Sequence, residues 1–144
     1  DLSAFKIYLS DIGLLRKLAE VPVAALVTKD DVIGFREFKG AFAENYVLQS
    51  LSTQSTVNLR YWTSNNSAEV DFLLQYDTHI LPIEVKSGKS TSSRSLTLYN
   101  AEKHPILRIR YSDKELKLDD NLLNIPLYMA DWTFALLDRV IASL

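Results

Sequence analysis

The chain has no cysteine and only one methionine, Met129. Without thiols it can form neither a disulfide framework nor a thiolate zinc site. Four glycines in 144 residues leave no glycine-rich cradle for phosphates. Gly88-Lys89-Ser90 looks like the end of such a loop, but the glycine needed five positions earlier is Ile83. The two histidines, His79 and His104, share no metal-ligand spacing. No Gly-x-Ser-x-Gly elbow offers a serine nucleophile. No apolar run approaches the roughly 20 residues of a membrane span. No basic-then-apolar leader opens the chain. These absences exclude a membrane helix and suit the cytoplasm. Basic residues are not in excess either: 16 Lys and Arg against 18 Asp and Glu give a net charge of −2. Proteins held to nucleic acid mainly through phosphates are usually basic. The chain is therefore not an obvious high-affinity nucleic-acid binder, although bound metal would neutralise part of the acidic count.

Nearly half of the residues are apolar, 47%, enough to build one core. A single domain over 1–144 is expected, with 1–34 as an N-terminal extension packed on it. The opening Asp1-Leu2-Ser3 reads like the tail of a linker and carries no initiator Met, so a piece of a larger chain is expected.

Lys6 to Leu9 alternates and reads as a short strand or an extended entry. Asp11 is placed to cap a short helix through Leu18, with Leu14, Leu15 and Leu18 on its buried side. Val21 to Val27 is apolar, and its class stays open because of Pro22. Phe35, Phe38, Phe42 and Tyr46 recur at helical spacing and predict a helix from Phe35 to Ser52. Val57 to Trp62 predicts a strand, and a polar turn follows at Ser64 to Ser67. Beyond Val85, a Ser-rich loop precedes a helix from Leu96 to Lys103, then a strand from Pro105 to Tyr111. Ser112 to Asp120 is charged and expected to be exposed. Leu122 to Met129 carries Pro126 and predicts an edge strand. Asp131 is placed to cap a final helix carrying Phe134, Leu137, Val140 and Ile141. The central order is helix, three strands, helix, strand. That predicts an α/β fold with a mixed sheet flanked by helices.

The densest chemistry lies in a hairpin. Ala68 to Gln75 and Ile80 to Lys86 both alternate, with Tyr76-Asp77-Thr78-His79 between them. A turn centred between Asp77 and Thr78 sets Asp71 opposite Glu84, and Glu69 opposite Lys86. Those four charges would share one face. Val70, Phe72, Leu74, Leu81, Ile83 and Val85 would share the other. Like charges directly opposite one another are destabilising, and a divalent cation is the natural compensator. Asp71 and Glu84 are therefore candidate Mg²⁺ or Mn²⁺ ligands, and the Val85 carbonyl is a third. Lys86 is placed to orient a water and stabilise a developing oxyanion. Glu44 projects from a partly apolar helical stripe, one turn after Gly40. A solvated strand face and a Glu69–Lys86 pair are the plain alternative.

Helical Glu44, then Asp71, then Glu84-Val85-Lys86 resembles the signature of the PD-(D/E)xK nuclease superfamily. The proline of that name is missing, because Glu69 and Val70 precede Asp71. More specifically, the chain resembles a domain of unknown function that follows an AAA+-type ATPase module in bacterial and archaeal predicted ATP-binding proteins. The matching segments run from Lys6 to Leu15, Gly40 to Asn45, Tyr61 to Thr63, Ala68 to Phe72 and Pro82 to Lys86. The resemblance implies a restriction-endonuclease-like α-β-β-β-α-β core, with catalytic positions at Glu44, Asp71, Glu84 and Lys86. It implies a Mg²⁺-dependent nuclease acting on nucleic acid, DNA first, attached to an N-terminal ATPase module of the same chain. A homo-oligomer is also compatible. The alternative is the same fold without catalysis, used to bind DNA or protein or to dimerise.

Overall fold

β1 (Arg60–Thr63), β2 (Glu69–Tyr76) and β3 (His79–Val85) run antiparallel in sequence order. The computed structural model describes residues 5–24, 35–64, 68–88 and 92–143, without the side chains of 35–37. The expectations for 25–27, for the Phe35 side chain, for the middle of the 64–67 turn and for Lys89 and Ser90 lie outside the described residues. Around these strands come α1 (Ile12–Leu18), α2 (Phe35–Gln54), α3 (Arg94–Lys103) and β4 (Arg108–Ser112). β5 (Lys117–Asp119), β6 (Leu122–Pro126), a 3₁₀ helix (Leu127–Trp132) and α4 (Thr133–Ile141) complete the described elements. The sheet order is β1-β2-β3-β4-β6-β5, with β3, β4 and β6 mutually parallel. The fold is mixed α/β, and α2-β1-β2-β3-α3-β4 reproduces the expected core order.

The hairpin turn falls between Asp77 and Thr78, with Asp77 left-handed at φ 50°. Aspartate tolerates that region better than most residues. The register runs from Tyr76↔His79 to Phe72↔Ile83, as the alternation predicts. Pairing with β4 starts at Ile83↔Ile109, one residue past Pro82, so the missing proline N–H falls outside that ladder.

Both faces of the sheet are covered. Leu81, Ile83, Val85, Ile109, Tyr111, Leu123 and Ile125 pack with Val47 and Leu51 of α2 and Leu137 of α4. On the other face Leu96 and Tyr99 of α3 pack with Val70, Trp62 and Leu73. Val70 therefore departs from the face expected for it. The β1–β2 register shifts by one residue between Arg60 and Trp62, which puts Val70 and Leu73 in one cluster despite their odd spacing.

Other expectations need correction. β6 is internal, between β4 and β5, because the stretch expected to be loop supplies the edge strand β5. Pro126 ends β6 and does not mark a sheet edge. Asp11 does cap α1, accepting the Leu14 N–H at 2.7 Å, but Leu14 and Leu18 are exposed. Among the described residues, Ile12, Leu15 and Ala19 of that region pack against Val21 and Phe42, and Phe38 is also exposed. Asp131 lies inside the 3₁₀ helix and caps nothing there. Gln54 fills that role from the end of α2, accepting the Phe134 N–H at 3.3 Å and donating to the Ala130 carbonyl at 3.0 Å.

Candidate active site

β2 and β3 separate beyond Phe72 and Ile83, and Asp71 stands at the fork. Its Oδ2 accepts the Val85 backbone N–H at 2.7 Å, so a side chain continues the ladder where the backbone no longer reaches. The in-plane direction of a strand N–H holds this carboxylate close to the sheet plane. Burial, its strongest influence, pushes the Asp71 carboxyl up to about 6. The Val85 N–H opposes that rise, the Glu44 charge adds to it, Lys6 opposes it, and the Glu84 charge adds to it. Asp71 thus senses both of the other expected acids.

Glu84 is buried, with 3% of its surface exposed. Its Oε1 lies 2.5 Å from Lys86 Nζ. Its Oε2 is buried and has no hydrogen-bond partner. In register, Glu84 stands beside Arg110 and Arg110 beside Asn124, whose Oδ1 accepts the Arg110 Nε–H at 2.9 Å. Lys86 was expected opposite Glu69. It pairs with Glu84 instead, because the strands have already parted at that level.

Glu44 reaches the site from α2. Its Oε2 accepts the Tyr8 hydroxyl at 3.0 Å and lies 3.7 Å from Lys6 Nζ. Lys6 is the residue without an assigned role in the sequence reading. Its ammonium pairs directly with Glu69 and stands 3.7 Å from Asp71 Oδ1. Burial acts to lower its pKa, but the Glu69 hydrogen bond and the charges of Glu44, Asp71 and Glu69 together raise it. Lys6 also lies 5.9 Å from the Tyr61 ring centre. The available signal was the alternation from Lys6 to Leu9, which turns Lys6 and Tyr8 to the same side of an extended segment.

Two hollows flank this segment. One, of about 620 Å³, is lined by Phe5, Lys6, Arg60, Tyr61 and Asp71 among others. The second, of about 400 Å³, is lined by Lys6, Tyr8, Ala41, Glu44 and Asn45 among others. Lys6 and Tyr8 are the partition between them.

Mg²⁺ and Mn²⁺ favour oxygen ligands. Asp71, Glu84 and the Val85 carbonyl are oxygen donors, and the partnerless Glu84 Oε2 is a buried acceptor of the kind a hard cation satisfies. Among the described residues, no three acidic or histidine side chains gather closely enough to hold an ion as they stand. The Lys6 ammonium stands among the acids instead. The donors fit the ion in kind, with Lys6 as the competing cation.

The fold and site define a mixed α/β domain with a partly buried acid–lysine cluster at a strand fork. Residues 39–129, more than half of the chain, match the model of the family described as domain of unknown function (DUF4143), and the chain belongs to that family. The matched span takes in Glu44, Asp71, Glu84 and Lys86 and leaves Lys6 and Tyr8 outside it. No curated protein and no solved structure matches the chain. No helix among the described residues is long and apolar enough to cross a membrane.

Proposed function

We propose that this domain is a Mg²⁺- or Mn²⁺-dependent nuclease of the PD-(D/E)xK type, cutting phosphodiesters of DNA in the cytoplasm as the C-terminal module of an AAA+-type ATPase. The observation that supports it best is Glu84, a carboxylate removed from water with one oxygen unpartnered and a lysine on the other. A buried carboxylate oxygen without a partner costs stability, and sites tolerate that where a ligand will meet it. Asp71, Glu84 and the Val85 carbonyl would hold the ion, with Glu44 supporting from α2. The ion supplies Lewis acidity and a water of lowered pKa. Lys86 donates to the attacking water and to the phosphoryl oxygen as negative charge develops there. Asp71, fixed by the Val85 N–H, arrives already oriented.

One observation favours a second reading, in which the same fold binds DNA or protein without cleaving. Lys6 and Lys86 already pair with the acids, so a local balance of charge exists without metal. The test is cleavage of single-stranded, double-stranded and branched DNA and RNA with Mg²⁺ or Mn²⁺, by the chain alone and joined to its ATPase module. Cleavage that disappears in Asp71→Asn is expected. No cleavage by either form gives the site to the binding module, and equal cleavage by Asp71→Asn removes Asp71 from the reaction.

A further inference from the structure

We propose that residues 5–9 form a built-in cation plug, in which the Lys6 ammonium holds the place beside Asp71 that a divalent ion takes and swings away from Asp71, keeping its pair with Glu69, when the ion binds, an inference that rests on the metal reading above.

Three observations carry it. The first is the oxygen that Lys6 faces. Asp71 Oδ2 is committed to the Val85 N–H, and Lys6 stands 3.7 Å from Oδ1, the oxygen left for an ion. A divalent ion bound there at roughly 2 Å would sit within a few ångströms of the ammonium. Two cations that close in a partly buried site repel strongly, so both cannot hold their places. The second is that Lys6 has somewhere to go. Its closest partner is Glu69, whose side chain is 45% exposed at the rim, and that contact survives a swing of the flexible lysine stem away from Glu44 and Asp71. The third is the shape around it. Lys6 and Tyr8 divide two hollows, one reaching Asp71 and the other Glu44. Moving Lys6 opens one toward the other at the acids.

The segment is held for this role without being part of the sheet. Tyr8 donates to Glu44 and tilts against Phe72 at 5.5 Å between ring centres, while Leu9 is bound by Asn45. Lys6, at the outer end of the clamp, is tied through its flexible side chain, by the pair with Glu69 and by the charges of Glu44 and Asp71. The partnerless Glu84 Oε2 gives the incoming ion an acceptor that Lys6 does not touch. Its attraction favours exchange of an ammonium for a divalent ion over simple loss of the ammonium.

Mn²⁺ titration by calorimetry on wild type, Lys6→Met and Arg60→Gln tests this. Arg60 lines the same hollow, so Arg60→Gln removes one positive charge without emptying the place at Asp71. Lys6→Met is expected to tighten Mn²⁺ binding at least about tenfold, because a direct competitor is gone. Arg60→Gln is expected to tighten it less than about threefold, since an exposed charge is screened. On wild type, acetic anhydride labelling read by mass spectrometry is expected to rise at Lys6 when Mn²⁺ is added. Lys6→Met binding no tighter than wild type or Arg60→Gln overturns the plug and leaves the metal reading standing. Mn²⁺ binding by neither wild type nor Lys6→Met overturns both. If Lys6→Met does not fold, the wild-type labelling decides: no rise at Lys6 overturns the plug.

Discussion

Asn45 holds both backbone groups of Leu9: its Oδ1 accepts the Leu9 N–H at 2.8 Å and its Nδ2 donates to the Leu9 carbonyl at 3.0 Å. One helical turn later, Gln49 accepts the Ile12 N–H at 2.8 Å. α2 thus offers the lead segment a side-chain ladder in place of a strand. Asn45 is itself buried, at 2% exposure, so the pair is shielded from competing water. Asn45→Ala leaves two Leu9 backbone groups unpaired and is expected to cost about 1–3 kcal/mol. Urea unfolding measures the loss. Amide exchange should quicken at residues 5–9 well before it changes in β3. Unchanged exchange there would mean that Asn45 does not hold the segment.

Asp71 should make the metal-free protein respond to pH in the direction opposite to an ordinary ion-paired acid. Its carboxyl is raised to about 6 from an ordinary value of 3.8. The folded state therefore holds the proton more tightly than the unfolded chain. This contribution to stability is fullest at low pH. It declines as pH rises from about 4 to about 6 and stays lost above that. Asp71→Asn removes the titration. In EDTA it is expected to exceed wild type by about 1–3 kcal/mol at neutral pH and to match it near pH 4. Added Mg²⁺ should reverse the neutral-pH order by stabilising only wild type. Parallel urea midpoints across that window in the two proteins would contradict the raised value.

The hairpin was legible because its rules are local. Alternation from Ala68 to Lys86 and a turn at Asp77-Thr78 set the register from Tyr76↔His79 to Phe72↔Ile83, but the expected Asp71–Glu84 pair lies beyond its end, and Asp71 binds the Val85 N–H instead. What lay beyond local rules was missed. Neither the parting of β2 from β3 nor the shift against β1 is announced by any pattern within β2, and beyond them Lys86 pairs with Glu84 and Glu69 with Lys6. Lys6 and Tyr8 meet Glu44 from 36 or more residues away, and nothing in one sequence ties an extended segment to a particular helix. β5 is three exposed residues with ordinary loop composition, so β6 looked like an edge. Asp131 has a capping side chain, yet Gln54 reached Phe134 first from a distant helix.

The join between sheet and C-terminal helix should depend on one hydroxyl. Thr133 Oγ1 lies 2.6 Å from the Tyr111 hydroxyl and donates to the Ala130 carbonyl at 2.6 Å, with both side chains fully buried. Thr133→Val keeps the shape and removes the bridge. It is expected to destabilise the fold by about 1–3 kcal/mol, because the Tyr111 hydroxyl is left unpaired away from water, while the Ala130 carbonyl keeps the Gln54 amide and the backbone N–H of residue 133. Tyr111→Phe added to Thr133→Val removes one orphan, so the double variant should lose less than the sum of the singles. Strict additivity in urea melts would show that the hydroxyls do not act as a pair.

Lys86 and Glu84 separate the nuclease from a structural ion pair. Lys86→Met keeps the aliphatic stem but leaves Glu84 Oε1 without the ammonium that stands 2.5 Å away. Because Glu84 is buried, the variant is expected to lose about 1–3 kcal/mol in EDTA. Mn²⁺ should restore most of that stability, since an ion on Glu84 supplies the missing positive charge. Cleavage should stay down by about 10²-fold or more, because the ion cannot replace a donor aimed at the developing oxyanion. Glu84→Gln should show the complementary pattern. It removes a buried charge, so its stability in EDTA should fall little, while Mn²⁺ binding and cleavage both disappear. Calorimetry, melting with and without Mn²⁺ and a single-turnover cleavage assay read the three quantities separately. If Lys86→Met cleaves at the wild-type rate once Mn²⁺ has restored its fold, the lysine serves only as the charge partner of Glu84.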